Sequence, residues 1–183
     1  MHSKTRLMIL VFIGMMVPPM AWILFLFYST LFTFDELLSI LLSPQMMIYM
    51  AIATTVMLVV FNMFLTKIET GIHSLTRYDE TVSLISKMPY YFLIGQLLYI
   101  LPGPVAVLWG KPFVNFERFA FAQASVLPLL FLFIIPVFIV FVIRLEEWAS
   151  PVSLSERYPF ISFGKKMALA IFTTLIGTTV IMA

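Results

Sequence analysis

Cysteine is absent from all 183 residues, and histidine occurs only at His2 and His73. Disulfides, thiolate metal sites and cysteine nucleophiles are therefore excluded. A serine, histidine and acid triad would have to recruit one of two poorly placed imidazoles. His73 follows the second apolar run beside charged residues, where a solvated interface residue is the plain reading and a proton-responsive group the functional one. Charge is scarce as well: Asp, Glu, Lys and Arg supply 11% of the chain, against about 25% in an average soluble domain. The net charge of +2 is too small for a nucleic-acid partner, and no basic stripe with interleaved aromatics appears. Nor is there a phosphate loop, since Gly103 and Gly110 stand in an apolar run and Gly164 in a basic segment. No nucleophile, base and stabiliser can be assembled, so the chain does not read as an enzyme. Nothing calls for a cofactor or metal. The pairs Met16/Met20 and Met46/Met50 have thioether spacing for copper, but no cysteine or nearby histidine joins them, and adaptable packing explains methionine better.

What is present is hydrophobicity, at 62% of residues and a mean hydropathy of +1.05. Leu7–Thr33, Leu37–Thr66, Met88–Gly110, Phe119–Ile143 and Met167–Ala183 contain no Asp, Glu, Lys or Arg. Each reaches the roughly 17 residues needed to cross a hydrocarbon core. The expected fold is all-α, a polytopic helical transmembrane bundle forming one domain over residues 1–183. Its spans are placed at about 7–33, 40–66, 88–110, 119–143 and 167–183, with cytoplasmic loops at 67–87 and 144–166. The first run is too long for a signal-peptide core of about 7–15 residues. An odd span count ending at Ala183 predicts an incomplete six-span unit, with a returning helix and an output domain downstream.

Basic residues set the orientation. With the N-terminus cytoplasmic, Lys4, Arg6, Lys67, Arg77, Lys87, Arg144, Arg157, Lys165 and Lys166 lie inside, and only Lys111 and Arg118 outside. That bias places the chain in a plasma membrane with the N-terminus inside. Trp109 and Tyr28 then fall at the outer interface, and Tyr90, Tyr91 and Trp148 at the inner one. The outer loops are too short for a ligand domain. The two inner segments resemble each other in order: Lys67–Glu69 and Arg144–Glu146, then Arg77–Tyr78 and Arg157–Tyr158, then a lysine–methionine pair. Either the unit of span, span and linker is duplicated, or interfacial loops share such a composition. Asp79–Lys87 carries acid at its start and lysine at its end, suiting a helix dipole, and Ser153 with Glu156 fits a capping box. Interfacial helices are therefore expected in both loops.

No ionisable side chain lies deep in a span, which argues against a proton pump, ion-coupled transporter or voltage sensor. Asn62, Gln96 and Gln123 are read as interhelical hydrogen-bonding residues worth roughly 1 kcal/mol each, with Gln96 and Gln123 also candidate ligand contacts. Pro18–Pro19, Pro102–Gly103–Pro104, Pro128 and Pro136 interrupt three spans, and are candidates for a hinge or cavity in the outer half.

The stretch Ile139–Ala170, with R-L-E-E-W, P-V-S-L-S and F-G-K-K-M before a new span, resembles the multispanning N-terminal membrane regions of bacterial transmembrane signalling proteins. These stand ahead of chemoreceptor-type or nucleotide-cyclase output domains. The similarity covers about 30 residues, with a weaker echo at Phe64–Met88, and the chain lacks the return helix, a HAMP-type linker and any output domain. The resemblance implies a sensory input module that perceives a membrane-level cue. Its expected partners are the lipid bilayer, other copies of itself through helix packing, and a cytoplasmic signalling domain or protein. The inner segments (Lys67, Glu69, Arg77, Tyr78, Arg144, Glu146, Arg157, Tyr158) would be coupling elements. A transporter or channel subunit, or a non-catalytic membrane anchor, are the alternatives.

Overall fold

Long uncharged runs in lipid leave backbone groups no water to bond, so the chain must satisfy them within helices. The computed structural model describes residues 3–72 and 78–150, and every regular element there is helical. These are α1 (Ser3–Tyr28), α2 (Phe34–Leu41), α3 (Pro44–Ile72), α4 (Tyr78–Ile100), α5 (Gly103–Leu108), α6 (Phe116–Ala124) and α7 (Val126–Ala149). Four stretches are long and apolar enough to cross a membrane: Ser3–Tyr28, Pro44–Ile72, Tyr78–Leu108 and Phe116–Ala149. The expected fifth span at Met167–Ala183 lies outside the described residues, as do Arg77, Arg157 and Tyr158.

The spans alternate in direction. The start of α1 meets the end of α3, where Lys4 Nζ donates to Thr66 Oγ1 at 2.7 Å and pairs with Glu69 at 3.3 Å. Ser3, Ile72, Tyr78 and Ala149 thus mark one charged end of the bundle. The opposite end is closed by α2 and the α5–α6 connection.

Helix limits depart from the hydropathy limits at several points. Residues Lys67–Ile72 continue α3, Tyr78–Lys87 open α4, and Arg144–Ala149 complete α7. Asp79–Lys87 is thus the opening of α4 rather than a separate interfacial helix, and the helix expected from Ser153 lies outside the described residues. Charge marks where a helix leaves lipid, not where its hydrogen bonding stops. Asp79 and Glu80 sit in the first turn of α4, the favourable end of its dipole. The second span, expected from about residue 40, begins at Pro44. Proline suits the first helical position, where its missing N–H costs nothing. Ser43 caps that start, its Oγ accepting from Met46 N at 3.2 Å.

α1 buries Leu7, Val11, Gly14, Met15, Pro18, Trp22 and Leu26, a stripe at three- and four-residue spacing. Its most extensive partner is α7, while α4 packs against both α3 and α7. Phe61, Phe92, Phe138 and Phe141 join α3, α4 and α7 at the centre, with Phe92 and Phe141 stacked at 4.5 Å. At the charged end Gly71 of α3 lies so close to α4 that a Cβ there would overlap the Thr81 hydroxyl. The outward face of α3 carries Ile48, Ile52, Val56, Val59 and Met63, all exposed, as lipid contact requires.

Candidate functional site

Proline chemistry shapes the half of the bundle away from the charged end. Pro102 and Pro104 lack N–H groups, so the carbonyls of Leu98 and Ile100 lose their usual i+4 donors. α4 accordingly stops at Ile100 and α5 begins at Gly103. Neighbouring helices supply donors to the interrupted backbone. Gln123 Nε2 donates to the Leu101 carbonyl at 3.1 Å, and the Tyr49 hydroxyl donates to the Tyr99 carbonyl. The Tyr49 and Tyr99 rings stack at 6.0 Å, and the Tyr99 hydroxyl meets Met50 Sδ at 3.0 Å.

A second interruption falls at Ser125, between α6 and α7. Pro128, buried in the first turn of α7, offers no donor to the Ala124 carbonyl. The nearby Ala122 carbonyl accepts from Ser125 Oγ and, across the bundle, from Trp22 Nε1, each at 2.9 Å. Pro18 and Pro19 deprive the carbonyls of Gly14 and Met15 in the same way, yet α1 runs through them unbroken. Pro136 is exposed and α7 also continues through it. The expected interruptions in α1 and at Pro136 are therefore absent, because membrane helices tolerate proline where neighbours or local adjustment satisfy the backbone.

The proline-bearing segments converge. Pro18, Pro19 and Trp22 from α1, Tyr49 and Met50 from α3, Tyr99 from α4, Gly103 and Pro104 from α5, and Leu129 and Leu130 from α7 line one cavity of about 40 Å³. Its walls expose no polar atom. A water needs roughly 10–15 Å³ measured this way but also two to four polar partners, so an apolar space of this kind stays dry.

Gln96 lies outside that cavity, about one turn along α4 toward the charged end. It is fully buried, with its amide beside Gly14 of α1. Among the described residues neither its Oε1 nor its Nε2 has a hydrogen-bond partner. Of the three amides expected to bond between helices, Gln123 does so, Gln96 does not, and Asn62 is exposed on α3.

At the charged end Lys67 is exposed in the last turns of α3, Glu69 pairs with Lys4, and Tyr78 is the first residue of α4. Arg144 pairs with Glu147 at 2.7 Å in the last turns of α7, beside Glu146. Lys67 and Arg144 occupy matching places, each five residues before its helix ends at Ile72 or Ala149. Their partners differ, however: α3 is tied to α1 through Glu69, whereas Arg144 is paired within its own helix.

The other end carries a polar pin that hydropathy does not reveal. Thr33 and Glu36 form a capping box that starts α2. The Thr33-x-x-Glu36 spacing is the one signal of it in the sequence. Glu36 also pairs with Arg118 at 2.9 Å; Arg118 donates to the Phe113 carbonyl at 2.9 Å and stands over the Phe32 ring at 5.4 Å. The Thr33 backbone N–H holds the Glu36 carboxyl below the usual range, with the Arg118 hydrogen bond and charge acting the same way against partial burial. Comparisons with protein-family models, curated proteins and solved structures find no match to this chain.

Proposed function

We propose that this chain is a membrane-embedded input module of a bacterial signalling protein, set in the plasma membrane with its N-terminus and charged end cytoplasmic. An apolar molecule dissolved in the bilayer would enter between the spans, and the resulting change in helix arrangement would pass to an output domain or partner at the charged end. One observation carries the reading: the proline-bearing parts of three spans meet at a single apolar cavity. Helices bend most readily where backbone hydrogen bonds are already missing. At about 40 Å³ the cavity is well below the roughly 300–1,000 Å³ of ordinary ligand pockets, so uptake requires the helices to part. That gives two states with different affinity for the molecule, the condition for a ligand to shift an equilibrium. The charged turns of α3 and α7 project past the uncharged runs and would carry the movement out of the lipid. A solute pathway would call for a continuous polar lining, which these walls do not offer.

Trp22 lines the cavity and reports on it. With Trp109 and Trp148 changed to Phe, 9,10-dibromostearic acid in bilayers should quench Trp22 saturably, because bromine must come close to the indole. Val107 of α5 also lines the cavity, and Val107→Phe, which would fill it, should abolish the saturable part. Quenching that never saturates, or that is unchanged by Val107→Phe, would refute uptake. Orientation has its own test in a chain with no native cysteine: Thr33→Cys should react with an impermeant thiol label in intact cells, and Thr70→Cys should not.

A further inference from the structure

We propose that a groove between the charged ends of α3 and α4 binds the phosphodiester headgroup of a membrane phospholipid. This site is separate from the apolar cavity and does not depend on it. The groove has a volume of about 210 Å³ and is walled by Phe64 and Lys67 of α3 and by Glu80, Ser83, Lys87 and Tyr91 of α4. Phe64 and Tyr91 stack at 5.2 Å, nearly parallel, and this contact sets the register of the two antiparallel helices. Lys67 lies three residues beyond Phe64, and Lys87 lies four before Tyr91. At about 1.5 Å rise per residue, both lysines stand roughly 5 Å above the ring pair. Spacings of three and four residues also put each lysine on the same helix face as its ring.

That level is the edge of the hydrocarbon. Lys67 is the first charged residue after the uncharged run ending at Thr66, and Lys87 the last before the run starting at Met88. Both are exposed, and among the described residues neither makes an ion pair. Among the described lining residues, two ammonium groups and the Glu80 carboxylate leave one net positive charge in the groove, matching the single negative charge of a phosphodiester. Below them the stacked rings offer an apolar floor for the glycerol and the first methylenes of an acyl chain. A free phosphate has no use for that floor, so a lipid is the occupant. Basic pockets between membrane helices are known sites of headgroup attraction, each lysine adding to the binding.

The test uses the full chain purified in detergent and supplied with phosphatidylglycerol, with retained lipid counted by native mass spectrometry. The wild type should retain a lipid that the double variant Lys67→Gln/Lys87→Gln holds roughly tenfold or more weakly. Lys67→Arg/Lys87→Arg should keep it, which separates lost charge from lost fold. Arg6→Gln/Arg144→Gln removes equal charge from the same end of the bundle and should leave retention unchanged. Equal retention by the lysine-to-glutamine variant, or equal loss in both double-glutamine variants, would overturn the site. Displacement of the lipid by millimolar inorganic phosphate would overturn the lipid assignment in favour of a free anion.

Discussion

Replacing Gln96 by methionine should stabilise the bundle. Gln96 is fully buried with both amide atoms unpartnered among the described residues, and protein substitution data put the cost of burying such an amide at about 1–3 kcal/mol. Methionine keeps the unbranched stem and the volume while removing the donor and acceptor, so the packing beside Gly14 survives. Part of the gain is cancelled, because a polar side chain on a separated helix in lipid is also poorly satisfied; interhelical hydrogen bonds in membranes average only about 0.6 kcal/mol for this reason. Unfolding in sodium dodecyl sulfate moderates that cancellation, since the separated helices can reach detergent headgroups and water. A stabilisation of about 1 kcal/mol is therefore expected, roughly a fivefold shift in the folding constant. Gln96→Ala should instead destabilise relative to methionine, because it leaves a hole. Following helicity and Trp22 emission through the detergent titration gives both free energies. A Gln96→Met variant less stable than the wild type by about 1 kcal/mol or more would refute the reasoning and show that the amide is bonded in the native bundle.

Gly71→Ala should destabilise by about 1–3 kcal/mol in the same titration, since the added methyl overlaps the Thr81 hydroxyl; unchanged stability would mean that α3 and α4 are less closely packed there. Val107→Leu should add up to about 0.8 kcal/mol by placing one methylene in the apolar cavity, and a loss of stability would show that no such space exists. Glu36 contributes through its lowered carboxyl pKa: the stabilisation is complete above the ordinary carboxylate value near 4.5 and is lost as pH falls through the lower folded value. Melting curves between neutral pH and pH 3 should fall more steeply in the wild type than in Glu36→Gln; identical slopes would show that the pin adds nothing to stability.

The four spans within the described residues were legible because an uncharged run of this length is rarely stable anywhere but in lipid. The break at Pro102–Gly103–Pro104 was legible because two missing N–H groups lie within three residues. Helix ends were not legible from hydropathy. Lys67–Ile72 and Tyr78–Lys87 are charged enough to leave the lipid, yet nothing in them breaks a helix. Pro44 did hold the correct start of α3, a local signal outweighed by the apolar run around it. Thr33 and Glu36 carried a capping signature, but the pairing of Glu36 with Arg118 spans 82 residues and depends on packing. The same holds in the cavity. Its prolines stood out, whereas Trp22 reaches a carbonyl 100 residues away and Tyr49 one 50 residues away. Gln96 looked like a bonding residue because buried amides usually are; only the three-dimensional arrangement leaves it alone beside Gly14.

The central claim is that the spans around the cavity have two arrangements and that the charged end reports which one is occupied. Spin labels on cysteines at Thr70 and Ser150, near the ends of α3 and α7, allow this to be measured directly by double electron–electron resonance in bilayers. Two distance populations are expected in the wild-type background, with 9,10-dibromostearic acid shifting their ratio, as a ligand with different affinity for two states must. Val107→Phe should yield one population insensitive to the acid. A single distance distribution, the same with and without the acid and the same in Val107→Phe, would contradict the claim.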